Sequence, residues 1–208
     1  AGTMLGVEQL YQDFDRFIES ADVDAVVLAS PTTEHARQFE LAMRAGKHVF
    51  VEKPLSLDLS TCEALAQQAA ACPNQVAMVG FERRFDPDIV RTRAAIERGE
   101  LGRPFLVRSQ TCDMHDPSGS FVRYSPNSGG IFQDCTVHDI DLARWMLGNP
   151  RAVKVFASGT NAIHAELARY QDVDNGLAIV EFEGGARAVF YASRTMPHGH
   201  ETTLEVIG

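Results

Sequence analysis

Three short apolar runs alternate with helical patterns over residues 1–81, and this alternation restricts the fold more than any other feature of the chain. The runs DAVVLAS, KHVFVEKP and QVAMVGF are short and apolar, which is typical of strands that are buried on both faces. Residues 33–46 and 56–71, which lie between these runs, have the apolar spacing of helices. Helices that connect buried strands predict a parallel α/β sheet with right-handed crossovers.

Local signals predict where the helices of this block begin. The segment EQLYQDFDRFIES (8–20) has helical spacing, so a further helix should precede the first strand. Thr32 or Thr33 can cap the helix after the first strand, and Ser56 or Asp58 can open the helix after the second.

The pattern changes after the third strand. A helix is expected over 85–102, with Asp86 as its N-cap, and another over 131–147. Strands are predicted over 103–114, 152–159, 174–195 and 202–208. They should be mostly antiparallel, with a hairpin turn at EGG (183–185).

Runs of strands that follow an alternating block predict a second domain of the α+β type. We place the boundary near residues 81–86, which gives domains over 1–84 and 85–208. The first domain contains no G-x-G-x-x-G turn, with which a dinucleotide-binding fold usually opens. We therefore expect the chain to belong to a longer protein, with the first βαβ unit outside it.

Composition excludes several classes of protein. The net charge is −9 and no basic patch is present, so we expect no nucleic acid partner. No apolar run approaches the ~20 residues of a membrane span, and no signal peptide is evident, so no membrane partner is expected. The four cysteines are scattered without a CxxC pair, which predicts reduced thiols and a cytoplasmic protein.

The expected helix over 131–147 carries ionisable residues among side chains that are apolar in nearly every direction. Asp134, His138 and Asp141 follow one another at i, i+4 and i+7, and therefore share one stripe. A buried carboxylate is costly unless it is paired. The stripe can be a structural hydrogen-bond network, an acid–base pair in which a carboxylate orients the imidazole, or a metal site. The glycines of the preceding NSGG segment can let the chain approach a ligand closely.

Two strand ends carry further candidate residues. Lys53 follows a buried strand beside Glu52, and the carboxyl ends of such strands face the ligand crevice in open α/β sheets. The alternative interpretation is that the Lys53 side chain simply extends to solvent from the end of the strand. The segment ASPTTEHA opens a helix whose free N–H groups can form an anion or ribose site, although Thr32 can simply cap it and the role of His35 stays open.

Taken together, these segments resemble the Gfo/Idh/MocA family of NAD(P)-dependent sugar and cyclitol oxidoreductases. The most specific signal is EKP at 52–54 followed by GG-x-x-x-D-x-x-x-H-D-x-D at 129–141. The other segments that carry the resemblance are DAVVLASPTTEHA, AGKHVFVEKPLS, VGFERRFDP, GELGRPF and DVDNGLAIVEFEGG. The resemblance implies an incomplete Rossmann-like dinucleotide-binding domain over 1–84, followed by an α+β domain for substrate binding and oligomerisation over 85–208.

The resemblance also implies roles for individual residues. Lys53 matches the lysine of the EKP motif, which hydrogen-bonds the substrate. His138 matches the general acid/base, and Asp134 matches the carboxylate that works with that histidine. Asp141 is expected to be structural. Lys53, Asp134 and His138 should converge on one cleft between the two domains. The implied contacts with NAD, or alternatively NADP, are Pro31, Thr32, His35, Glu52, Lys53 and Arg83. The implied contacts with substrate are Lys53, His115, Asp134, His138 and His200, and no metal is implied.

Within the family, the segments SGTNAIHAELARYQDVDN and SRT are most similar to inositol 2-dehydrogenases, which implies oxidation of a ring hydroxyl of an inositol-like polyol to a ketone. The HGHE segment at 198–201 departs from the Tyr-Gly-Tyr-Asp of many of these enzymes, which leaves the cyclitol or sugar open. The resemblance further implies a homodimer or homotetramer formed through sheet faces. The apolar residues expected on those faces include Val155, Ile179, Val180 and Val189.

Two other classes remain as alternatives. A metal-dependent sugar isomerase or aldolase would bind its metal at Asp134 and His138. A non-catalytic sensor or scaffold related to the family would not need the missing glycine turn.

Overall fold

The computed structural model describes residues 6–208. The chain divides into two compact units, of which the first ends at Gly80 and the second runs from Phe81 to Gly208. This division lies four residues before the end of the predicted 1–84 domain, so the charged segment after Phe81 belongs to the second unit. No helix within residues 6–208 has both the length and the apolar character that crossing a bilayer requires.

The first unit contains the predicted parallel sheet. Its strands are β1 (Ala25–Leu28), β2 (His48–Glu52) and β3 (Ala77–Gly80), all parallel and in the order β1-β2-β3. The helices of this unit are α1 (Phe14–Ser20), α2 (Thr32–Arg44) and α3 (Leu59–Ala70). Alternate strand residues pack against these helices in one apolar core that includes Val26, Leu28, Phe39, Val49, Val51 and Leu65.

Two predicted helix starts are wrong in this unit. Helix α1 begins at Phe14 and not at residue 8, because Asp13 is extended and its carboxylate accepts the backbone N–H of Arg16 at 2.9 Å. Helix α2 begins at Thr32 with Pro31 at the N-cap, so neither threonine is the cap. Asp58 does cap α3, where it accepts the N–H of Thr61 at 2.7 Å.

The second unit is built on the predicted mostly antiparallel sheet. Its strands are β4 (Leu106–Met114), β5 (Ala152–Thr160), β6 (Asn175–Phe182), β7 (Arg187–Met196) and β8 (Glu201–Ile207). They lie in the order β5-β6-β7-β4-β8, in which only β4 and β7 pair in parallel. The hairpin between β6 and β7 turns at Glu183–Gly185, as expected.

Helices connect and cover this sheet. They are α4 (Pro87–Glu97), α5 (Ser120–Tyr124), α6 (Ile131–Asp134) and α7 (Val137–Met146), with 3-10 helices at Glu82–Phe85, Ser125–Asn127 and Ala165–Tyr170. Helix α4 has Asp86 at its N-cap, as predicted. Helix α7 contributes Ala143 and Met146 to a core with Val107, Ala178, Val180, Phe182, Ala188 and Phe190 of the sheet.

The single helix expected over 131–147 is instead two helices, α6 and α7, separated at Cys135 and Thr136. The carbonyl of Ile131 accepts the N–H groups of both Cys135 and Thr136 at 3.0 Å, and also lies 3.3 Å from the hydroxyl of Thr136. A bond that spans five residues widens the turn as in a π-bulge, a feature that is frequent at functional sites. Asp134 and His138 therefore belong to different helices.

Candidate active site

Asp134 ends α6 and is paired with an arginine on the sheet. Nη2 of Arg194 donates to Oδ2 of Asp134 at 2.6 Å, and the arginine side chain is only 4% exposed. Nη1 of the same guanidinium lies 3.6 Å from the buried carboxylate of Asp172. Burial strengthens such charge-assisted bonds, so Arg194 holds the Asp134 carboxylate in a defined orientation.

Asp172 also fixes the entry to α6. Its Oδ1 accepts the N–H of Ile131 at 2.8 Å, and its Oδ2 accepts the hydroxyl of Ser125 at 2.9 Å. Gly130 has φ +83° and ψ 173°, and a Cβ at this position would lie 3.1 Å from Oδ1 of Asp172. The close approach that needs a glycine is thus made to Asp172, whereas the sequence suggested approach to a ligand.

His138 lies in the first turn of α7 and is 8% exposed. Its Nδ1 is 3.4 Å from Oε2 of Glu82, a residue of the 3-10 helix at the start of the second unit. The ring of Phe81 packs edge-on against the imidazole, with 6.2 Å between the ring centroids. A carboxylate facing Nδ1 favours the tautomer with its proton there, which makes Nε2 the proton-accepting nitrogen of the neutral ring.

Asp139, the next residue, is fully buried and points to the sheet. The hydroxyls of Ser109 and Thr111 donate to its two carboxylate oxygens at 2.5 and 2.7 Å. Burial raises the pKa of this carboxyl, and the two hydroxyl bonds and the nearby Arg83 offset part of that increase.

Arg83 and Arg84, which flank this region, are both engaged within the second unit. Arg83 donates to the hydroxyl of Thr111 at 2.7 Å, and its expected contact with the cofactor stays a prediction. Arg84 donates two bonds to Asp141, at 2.6 and 2.7 Å, and its guanidinium lies over the ring of Trp145. The hydrogen bonds to Asp141 raise the pKa of Arg84 despite partial burial. This pair supports the structural interpretation of Asp141.

His115 and His200 lie where β4 ends and where β7 turns into β8. The backbone N–H of His115 donates to the carbonyl of Met196, and its ring is 5.3 Å from that of His164. Nδ1 of the exposed His200 is 3.2 Å from a carboxylate oxygen of Asp113. Their expected contacts with substrate stay predictions.

The remaining predicted residues belong to the first unit, at the carboxyl ends of its strands. Glu52 is the last residue of β2 and pairs in register with Gly80, and Lys53 follows it directly before Pro54. Pro31 is the N-cap of α2, and Thr32 is 8% exposed in its first turn.

His35 is 1% exposed, and both of its ring nitrogens face backbone carbonyls. Nδ1 is 2.9 Å from the oxygen of Pro54, and Nε2 is 2.8 Å from that of Ser30. The ring thus bridges the turn after β1 and the turn that carries Lys53. Both ring nitrogens thus have partners inside the unit, and the expected contact of His35 with the cofactor stays a prediction.

No group of three or more His, Cys, Asp or Glu side chains among residues 6–208 is arranged to hold a metal ion. The four cysteines are unpaired, and burial raises the pKa of Cys112 to about 11 and of Cys135 to about 12. Both thiols therefore stay protonated well above neutral pH.

Sequence patterns alone give no role to four residues of this region, namely Glu82, Asp139, Asp172 and Arg194. Each belongs to a segment that carried the resemblance, but each finds its partner on a distant element of the chain. Their contacts follow from the tertiary structure and not from a local spacing.

Two family models match this chain. The model described as an oxidoreductase family with an NAD-binding Rossmann fold matches residues 3–81. The model described as the GFO/IDH/MocA C-terminal domain matches residues 89–208.

Several characterised proteins are similar to the chain. It is 37% identical to scyllo-inositol 2-dehydrogenase (NAD(+)) of Bacillus subtilis over 98% of this chain and 58% of that protein. It is 36% identical to myo-inositol 2-dehydrogenase of Thermotoga maritima over 98% of this chain and 60% of that protein. The chain therefore spans less than two thirds of the length of these relatives.

Solved structures are similar as well. The crystal structure of scyllo-inositol dehydrogenase from Lactobacillus casei with bound NAD(H) and scyllo-inositol aligns with a TM-score of 0.92 at 37% identity, and covers all of this chain and 61% of that one. The structure of myo-inositol 2-dehydrogenase from Lactobacillus plantarum aligns with a TM-score of 0.94 at 32% identity, and covers all of this chain and 62% of that one.

Proposed function

Because the chain belongs to the GFO/IDH/MocA oxidoreductase family, we propose that its protein is an NAD-dependent dehydrogenase that oxidises a ring hydroxyl of a cyclitol or sugar to a ketone. The observation that carries this proposal is the likeness to a structure that contains both NAD(H) and scyllo-inositol. An inositol-like polyol is therefore the proposed substrate class, with NADP as the alternative cofactor.

The first unit has the chemistry that a dinucleotide needs. Its three strands are parallel, and dinucleotides bind outside the carboxyl ends of such strands. Helix α2 begins at this edge, and Pro31 provides no side-chain cap for its first N–H groups, which suits a phosphate or ribose oxygen. We assign six residues to the binding of NAD, namely Pro31, Thr32, His35, Glu52, Lys53 and Arg83. When bound, NAD accepts the hydride that leaves the substrate carbon.

The protein's own residues handle the proton and the charge. The hydroxyl proton of a polyol is too weakly acidic to leave unaided at neutral pH, so a base must take it as the hydride departs. His138 is that base in this proposal, with Asp134, held by Arg194, supporting the protonated ring. Lys53 donates to the reacting oxygen and stabilises its developing negative charge. His115 and His200 are proposed to bind the other hydroxyls.

The test is the formation of reduced cofactor from a panel of substrates by the protein in the form that the cell produces. The panel contains scyllo-inositol, myo-inositol and aldose sugars, each assayed with NAD and with NADP, and each repeated with a metal chelator. The proposal expects NAD-linked oxidation that the chelator does not affect. Substrate turnover that needs a metal and no dinucleotide would favour an isomerase or aldolase, and no turnover at all would favour a sensor or scaffold.

We also propose that two copies associate through the outer face of the second sheet. Phe156, Leu177 and Ile179 lie on this face and are 61%, 41% and 41% exposed. Register pairs Phe156 with Ile179 across β5 and β6, so these side chains form a continuous apolar surface. Val180, by contrast, faces the core at 8% exposed.

Sedimentation velocity tests this association. We expect a dimer or tetramer at micromolar concentration, and a shift toward monomer in the double variant Phe156→Ser and Ile179→Ser. A wild-type monomer would contradict the proposal. We also propose that the protein is cytoplasmic, as expected from its unpaired cysteines.

A further inference from the structure

The 3-10 helix at Glu82–Phe85 meets helix α7 through three consecutive charged side chains. Each faces a different ionisable residue of the HDID segment in α7. The three facing pairs are Glu82 with His138, Arg83 with Asp139, and Arg84 with Asp141.

Two of these pairs anchor the 3-10 helix. The bidentate bonds from Arg84 to Asp141 have the geometry of strong charge-assisted bonds, and Trp145 packs against the same guanidinium at 5.3 Å. Arg83 is fixed by its bond to Thr111 and lies 3.6 Å from the buried carboxylate of Asp139.

The third pair is different, because its partner is the proposed catalytic histidine. The Glu82 side chain is 64% exposed, so it does not fill the core. Because Arg83 and Arg84 are anchored, the backbone at Glu82 is already ordered. Placing the Glu82 carboxylate near Nδ1 of His138 therefore costs little further chain entropy. We propose that Glu82 is a positioning residue that orients His138 and stabilises its protonated form.

Other charges also face this histidine. Arg83 lies 4.0 Å from the other carboxylate oxygen of Glu82, which weakens the field of Glu82 at the ring. Asp134, at the end of the preceding helix, is the carboxylate that the proposed function pairs with His138 and is itself paired with Arg194. The Asp139 carboxylate is turned toward Ser109 and Thr111. Glu82 is the carboxylate on the Nδ1 side, so its removal lowers the affinity of His138 for a proton.

The inference rests on the proposed function, which gives His138 a proton to accept, but its first test does not need activity. The midpoint of His138 protonation is followed by NMR in the protein without ligand, and the resonance is assigned by its loss in His138→Gln. We expect Glu82→Gln to lower this midpoint by about half a unit to one unit. Glu82→Asp should restore part of the shift, and Glu100→Gln, a control at an exposed carboxylate paired with Arg98, should leave it unchanged.

A second readout uses catalysis. A base must be unprotonated to act, so the acidic limb of kcat/KM for oxidation should move to lower pH in Glu82→Gln by the same amount. A His138 midpoint in Glu82→Gln within about 0.1 unit of wild type, or an equal shift in Glu100→Gln, would overturn the inference. If the midpoint shifts while no NAD-linked oxidation is found, the positioning role stands and the proposed function fails.

Discussion

Arg194 donates a 2.6 Å hydrogen bond to Asp134 from sixty residues further along the chain. This bond links the end of α6 to strand β7, and it determines where the Asp134 carboxylate points. The guanidinium also lies near Asp172, so a single buried cation balances two carboxylates.

Arg194→Met should therefore be strongly destabilising. Two carboxylates would lose the cation that compensates them, which costs about 3–5 kcal/mol of unfolding free energy for a buried pair. Arg151→Met is the matched control, because Arg151 also bonds a carboxylate at 2.6 Å but does so on the surface, with Glu183. That control should cost less than about 1 kcal/mol in urea denaturation, and equal losses in the two variants would contradict the account.

Gly130→Ala tests the contact between the glycine turn and Asp172. The combination of φ +83° and ψ 173° is nearly restricted to glycine, and the new Cβ would lie 3.1 Å from the Asp172 carboxylate. We expect a loss of about 2–4 kcal/mol in unfolding free energy from the two effects together.

Gly148→Ala is the control, with the same φ of +83° and no atom within 4 Å of the added Cβ. It should cost only about 1–2 kcal/mol, from backbone conformation alone. Equal costs for the two alanine variants would show that Asp172 is not the reason for Gly130.

Asp174 makes the stability of the second unit depend on pH. Burial raises the pKa of this carboxyl, but the N–H groups of His164, Ile163 and Ala162 lower it by more, so the net shift is downward. A lowered pKa in the folded state gives stability that is present above the unfolded value and lost as pH falls through the folded one.

Asp174→Asn should accordingly cost about 2 kcal/mol of unfolding free energy at neutral pH. The difference from wild type should shrink as the pH falls below 3.8, the ordinary value for this carboxyl, toward the lower folded value. Urea denaturation at several pH values measures it, with Asp88→Asn on the exposed start of α4 as the control. A difference that grows toward acid pH would have the wrong sign.

Much of the fold could be predicted from local patterns. Strands such as β1 and β2 are recognisable as short apolar runs, although alternate residues of β1 are exposed. The Asp86 and Asp58 caps follow from side-chain chemistry. The parallel pairing of β4 with β7 was not predictable, because it depends on where the whole sheet places two strands that are distant in sequence. Helix α2 was assigned the wrong cap because a proline can take that position without a side-chain bond.

The candidate site was predicted in part. Asp134 and His138 were selected by their spacing, but that spacing assumed one continuous helix, and the widened turn at Cys135 and Thr136 breaks it. Glu82 and Arg194 could not be assigned, since only the tertiary structure brings them to these residues. The proposed convergence with Lys53 stays a prediction.

The central claim is that His138 accepts the substrate proton during NAD-linked oxidation of a polyol. The most direct measurement is the steady-state kcat of His138→Ala with scyllo-inositol or myo-inositol and NAD. The control is His48→Ala, at the amino-terminal end of β2. We predict that kcat falls by about 10²–10⁴ in His138→Ala, the usual contribution of general acid–base catalysis, and stays near wild type in the control. A His138→Ala variant that turns over at close to the wild-type rate would contradict the account.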